Sequence, residues 1–156
     1  MKRFTLLASL LMFITLTYAV NVIPVEDAMR ASKNFLTECV GAMAGQLDLT
    51  LASTEYSSEG IPVAYRFNVG EKGFIIVSAT DLASPVLAYS LESNFKQGIG
   101  TDIYVENYAK NIEFLLANPA AAQPNRNSWD HYLASNFVPY TATKGAPCME
   151  PLVTTR

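Results

Sequence analysis

One histidine, His131, and two cysteines, Cys39 and Cys148, are the side chains of this 156-residue chain best suited to nucleophilic chemistry. A catalytic thiolate needs an imidazole beside it and an ordered, electropositive setting. His131 would have to serve either cysteine. Cys39 falls on the apolar side of a predicted helix, and Cys148 lies in a proline-flanked tail, so neither pairing makes a thiolate site. His131 itself reads as a partly exposed helix residue beside Asp130. No cluster of His and Cys has the spacing of a zinc site. Gly70 and Gly73 lack the lysine and the following helix of a phosphate-binding loop. The adjacent carboxylates Glu26 and Asp27 suit a helix N-terminus, where the dipole favours negative charge, better than acid–base catalysis. The residues therefore describe a domain without catalytic machinery and with no cofactor implied, and such a domain works by binding.

Bulk properties narrow what it binds. The formal net charge is -3, and no Lys/Arg cluster supplies the basic patch that nucleic acid requires. Lys2 and Arg3 precede an apolar run over residues 4–16, and Thr17-Tyr18-Ala19 follows with small residues where signal peptidase reads. Residues 1–19 are thus expected to be a cleaved signal peptide. The run is too short for a comfortable membrane span, so no stable membrane anchor is expected. The mature protein is placed in the periplasm or outside the cell. In that setting Cys39 and Cys148 have two readings: a disulfide, or a buried Cys39 that packs as a small hydrophobe.

The elements that position these residues follow from periodicity. Residues 24–44 read as a helix opened by Pro24. Val25, Met29, Ser32, Phe35, Leu36, Cys39, Val40 and Met43 form its apolar stripe, and Gly45 ends it. Alternation of Leu47, Leu49 and Leu51 with polar residues predicts a half-buried strand over 47–52. After a turn at 57–60, residues 62–69 form a second strand, with Tyr65 and Phe67 as core aromatics, and 70–73 a hairpin loop. The nearly continuous apolar run 74–79 predicts a central strand. A turn at 80–84 leads into a strand over 85–90. Residues 95–102 read as a loop with Gly98 and Gly100, and Asp102 as the cap of a helix over 103–117. Residues 120–127 look linker-like, 128–136 predict a short helix with Trp129, Tyr132 and Leu133, and 138 onward reads as an extended tail. The fold class is α+β: an antiparallel sheet of about four strands with packed helices.

The order of these motifs resembles the propeptide and Spi inhibitor domain of streptopain-like cysteine peptidases. The resemblance runs from Ala28 to about Leu116. It rests on Tyr65, Phe67, Asn68, Gly73, Phe74, Ile76, Val77, Ser78, Asp81, Pro85, Leu87, Tyr89, Ser90 and Phe95 in sequence order. The run Gly-Phe-Ile-Ile-Val-Ser is common to many sheets; the ordered set is what is specific. Ala88 stands where the pattern has glycine, and Thr80 where it has an acidic residue. On this resemblance residues 20–117 form the inhibitory domain, and 118–156 a linker and a junction like that preceding a peptidase domain.

What the resemblance implies is occlusion of a peptidase cleft. The domain docks on a streptopain-like cysteine peptidase, in cis or in trans, and the loop before the closing helix holds the active site non-productive. The corresponding segment here is 94–103, with Asn94, Phe95, Gly98, Gly100, Thr101 and Asp102 as candidate inhibitory residues. The family's streptopain-like members carry an Asn near the end of that loop, where this chain has Asp102. Asp102 is then either an inserting side chain or a helix cap. Three functional readings remain at this point: a free-standing inhibitor, the N-terminal prodomain of a cysteine peptidase zymogen, and a secreted binding module with a similar sheet.

Overall fold

The computed structural model describes residues 22–96, 98–118, 121–122 and 124–139. The expected signal peptide and most of the expected C-terminal tail lie outside them. The fold is α+β, as the periodicity predicts. Helix α1 (Val25–Val40) leads through a 3-10 helix (Gly41–Gln46) into strands β1 (Leu49–Tyr56), β2 (Pro62–Val69), β3 (Gly73–Ser78) and β4 (Val86–Ser90), then helices α2 (Ile99–Ala117) and α3 (Arg126–Leu133). The four strands form one antiparallel meander in the order β1-β2-β3-β4.

Alternation sorts the strand side chains onto two faces. Tyr65 pairs with Val77 and Phe67 with Ile75, and these four form a core with Phe35 and Leu36 of α1 and with Trp129 and Tyr132 of α3. Ala64, Arg66 and Asn68 point the other way, opposite Ser78, Ile76 and Phe74. Helix α2 covers this second face: Tyr108 donates from its hydroxyl to Ser78 Oγ at 2.8 Å, and Ile112 is fully buried. The only polar residue in the α1 stripe, Ser32, donates to Ala28 O at 2.8 Å and so buries without an orphaned hydroxyl.

Four elements depart from their expected limits by more than one residue, among them α3, which spans 126–133 rather than 128–136. Helix α1 ends at Gly41, whose φ of 61° leaves the helical region, rather than at Gly45. Strand β1 runs on to Tyr56 instead of stopping at 52. A bulge between Leu51 and Ser53 absorbs one residue, so Leu49 and Leu51 pair opposite core-face residues while Ser53 pairs with Arg66 on the other face. The period-two signal breaks there although the strand does not. Helix α2 begins at Ile99, four residues before the expected start.

Residues 125–133, past the expected end of the domain at 117, belong to the packed body. Trp129 is 3 % exposed and its Nε1–H donates to Ala83 O at 3.0 Å; Asn125 N–H donates to Asp81 O at 2.7 Å. The short helix thus latches the turn between β3 and β4. At the hairpin end, Gly73 has no room for a side chain, since a Cβ would lie 2.7 Å from Val69 O and 2.8 Å from Ser90 O. Gly73→Ala is expected to lower unfolding free energy by about 2 kcal/mol, because backbone on both sides would have to move. Urea denaturation of the two proteins measures it; an unchanged midpoint would contradict this packing.

Candidate functional site

The segment joining β4 to α2 is built from its ends inward. On the β4 side, Ser90 Oγ accepts the N–H groups of Glu92 at 3.3 Å and Ser93 at 3.1 Å, which turns the chain. Phe95 then folds back onto the second face of the sheet. Its ring meets Phe74 edge-on at 5.3 Å, and the Arg66 guanidinium sits 4.5 Å from its centroid. Arg66 is itself steadied by donating from Nε to Ser53 Oγ at 3.1 Å. On the α2 side, the Thr101 hydroxyl accepts the Gly98 N–H at 2.9 Å and lies within donating distance of Gly98 O at 2.8 Å and Lys96 O at 3.2 Å. A short tip is therefore pinned by an aromatic anchor at one end and a hydroxyl at the other. Asn94, Lys96 and Gly98 are exposed on it.

These contacts separate the candidate residues. Asn94, Phe95 and Gly98 are on the tip. Gly100, Thr101 and Asp102 are in the first turn of α2, which corrects the expected loop over 94–103. Asp102 is not the helix cap: that position is Gly98, and Asp102 sits one turn in, where a carboxylate still complements the helix dipole. The sequence reading chose Asp102 because aspartate is a favoured cap and two nearby glycines look like loop. Thr101, expected in the loop, lies three residues past the cap, and its hydroxyl closes the first turn. Gly98 has φ of -178° and open space around it, so its backbone is extended and tolerates a side chain within this chain.

Between α2 and the β1–β2 edge runs a groove of about 610 Å³ whose walls include Phe95, Asp102, Arg66, Glu55, Glu106 and Lys110. Lys110 donates from Nζ to Glu106 Oε1 at 2.6 Å, which holds the Glu106 carboxyl below its ordinary range and raises the lysine. Glu113 accepts the Ser58 N–H, and that bond likewise holds its carboxyl down. Through it α2 is tied to the β1–β2 turn.

Of the residues first considered for catalysis, Cys39 and His131 are engaged elsewhere. Cys39 is disulfide-bonded, and Cys148 lies outside the described residues. His131 is a partly exposed residue of α3, as expected. Its Nε2 lies 2.6 Å from Glu38 Oε1, and Tyr132 donates from its hydroxyl to Glu38 Oε2 at 2.9 Å. The Glu38 side chain is 1 % exposed. The histidine thus fastens α3 to α1.

The sequence profile of the Spi protease inhibitor family matches residues 20–112, more than half of the chain. The chain belongs to the Spi protease inhibitor family. The match spans α1, the whole sheet, the tip and most of α2. No curated protein and no solved structure matches the chain. Membership makes this a protease inhibitor domain whose partner is a protease. No helix among the described residues is long and apolar enough to cross a membrane.

Two outcomes test the anchors of the site. Burial pushes the Tyr108 phenol up to about 12 from its ordinary 10.0, against the lowering effect of hydrogen bonds to Ser78 and Thr80. A raised folded-state value means the unfolded chain loses this proton first. Tyr108 should therefore support the fold fully below pH 10 and progressively less between pH 10 and about 12. Tyr108→Phe should flatten that alkaline loss; an equal loss in both proteins, followed by denaturation against pH, would contradict the role. His131→Ala should destabilise the domain by about 2–3 kcal/mol, since it leaves the buried Glu38 carboxylate with one fewer partner. Thermal unfolding unchanged by that substitution would contradict the tie between the helices.

Proposed function

We propose that this protein inhibits a streptopain-like cysteine peptidase by laying the tip at 94–98 into or across the active-site cleft. Membership of the Spi protease inhibitor family over residues 20–112 is the observation that carries the reading. The geometry supports it: the exposed tip is short and fastened at both ends. A fastened segment loses less conformational freedom on binding than a free loop, which favours affinity. Gly98 lets a partner's backbone come close, because nothing of this chain occupies the space where its side chain would be.

In this reading the tip residues Asn94, Phe95, Lys96 and Gly98 have distinct roles. Phe95, half-buried on Phe74 and Arg66, sets the direction of the tip, and Asn94, Lys96 and the Gly98 backbone meet the peptidase. Gly100, Thr101 and Asp102 act from the first turn of α2, with Thr101 holding the tip closed. The protein works outside the cytoplasm after removal of residues 1–19, where the Cys39 disulfide is stable.

The test is titration of the chain into streptopain while a fluorogenic peptide is hydrolysed. Stoichiometric, reversible loss of activity is expected. Phe95→Ala should raise the inhibition constant about tenfold by freeing the tip. Gly98→Leu should weaken inhibition at least as much while leaving thermal stability within about 0.5 kcal/mol, as for an open surface site. Full inhibition by both variants would remove the tip from the mechanism, and no inhibition by the parent chain would overturn the reading.

A further inference from the structure

The solvent side of α2 divides along its length into two unlike halves. At 100° per residue, Ile103, Phe114, Asn107, Asn111 and Tyr104 fall in turn within an arc of about 100°. Ile103 is 51 % exposed, Tyr104 47 % and Phe114 57 %, and both asparagines are exposed. No charge lies in that arc. The neighbouring arc carries Asp102, Glu106, Lys110 and Glu113, and these line the groove beside β1 and β2. The uncharged half turns toward β4, where the Tyr104 hydroxyl donates to Leu87 O at 3.2 Å. That bond lays the ring down as part of a fixed surface.

Water does not ask for such a face. The other two helices show what this chain places against solvent: α1 exposes Glu26, Arg30 and Lys33, and α3 exposes Arg126 and Asp130. Three large apolar side chains spaced over about 16 Å of one helix, interleaved with amides and free of charge, have the composition of an interface centre. Their position names the occupant. Ile103 and Tyr104 follow within two turns of the tip at 94–98, so any partner gripped by the tip lies alongside them. Specific interfaces bury about 800 Å² per partner, more than a five-residue tip supplies.

We propose that the uncharged face of α2, formed by Ile103, Tyr104, Asn107, Asn111 and Phe114, is the main docking area for the peptidase, and that it seats against an uncharged, partly apolar surface bordering the cleft. The inference rests on the inhibitor reading above. It adds that the affinity resides on the helix while the tip blocks the cleft.

The experiment compares the parent chain, Asn107→Lys/Phe114→Glu, Asn111→Lys and the control Arg30→Glu on α1, each titrated into streptopain and each run in the analytical ultracentrifuge alone. All substituted positions are exposed, and melting curves verify the fold. The double variant should raise the inhibition constant at least tenfold, about the loss of one interface hot spot, and Asn111→Lys severalfold, with the control unchanged. If the parent inhibits and neither α2 variant weakens it, the face is overturned while the inhibitor reading stands. If the parent does not inhibit, that reading falls and takes this one with it. A dimer of the parent that the double variant dissociates, with inhibition unchanged, would assign the face to a second copy of the chain and overturn the peptidase as its occupant.

Discussion

Strand β3 has no solvent face, and the rest of the molecule follows from that. Ile75 and Val77 are buried against α1, while Ile76 and Ser78 are buried on the opposite side. A four-stranded sheet with such a strand at its interior needs cover on both faces. The helix preceding the sheet covers one face, together with α3. The chain leaving β4 must therefore cross the end of the sheet and return over the other. The segment 94–98 is that crossing. Its exposure and its fixed ends result from packing demands on both sides: Phe95 closes the open corner of the second face, and Thr101 starts the helix that roofs it.

In the proposed reading, this arrangement is what lets an inhibitor domain act on a protease. Blocking a cleft requires a protrusion that stays in shape when bound and a neighbouring area large enough to hold it there. In the proposed reading the crossing segment supplies the first and α2 the second, and the segment runs directly into that helix. That helix is fixed along its length by Tyr104 on Leu87, Tyr108 on Ser78 and Glu113 on the turn after β1. Rigidity in the sheet is thus passed to the tip through contacts that bury little charge. The acidic groove on the other flank of α2 leaves the uncharged flank as the surface suited to a broad protein contact.

Much of this was legible in the sequence, for identifiable reasons. Strands β2, β3 and β4 announce themselves by apolar runs and turn residues, and α1 by an apolar stripe that the structure buries nearly as spaced. The features that escaped are those set by contacts distant in sequence or by two competing local signals. The bulge after Leu51 reverses the alternation of β1 and hid its last four residues. Asp102 is a better cap than Gly98 by propensity, yet the Thr101 hydroxyl satisfies the Gly98 N–H and the helix starts earlier. Glu38 and His131 stand 93 positions apart, so their pairing has no local signature. The burial of Trp129 was likewise invisible, because its partner is the turn at Ala83. The candidate inhibitory residues were found as one stretch; only the structure divides them into an exposed tip and the first turn of a helix.

The account stands or falls on whether the cleft itself is covered. The direct measurement is the rate at which a small irreversible thiol alkylator modifies the catalytic cysteine of streptopain, with and without a stoichiometric amount of this protein. Occlusion predicts that alkylation slows in proportion to the fraction of peptidase bound and recovers on dilution. Alkylation at the uninhibited rate in a complex shown by sedimentation to be fully formed would place the binding site away from the cleft and contradict the account.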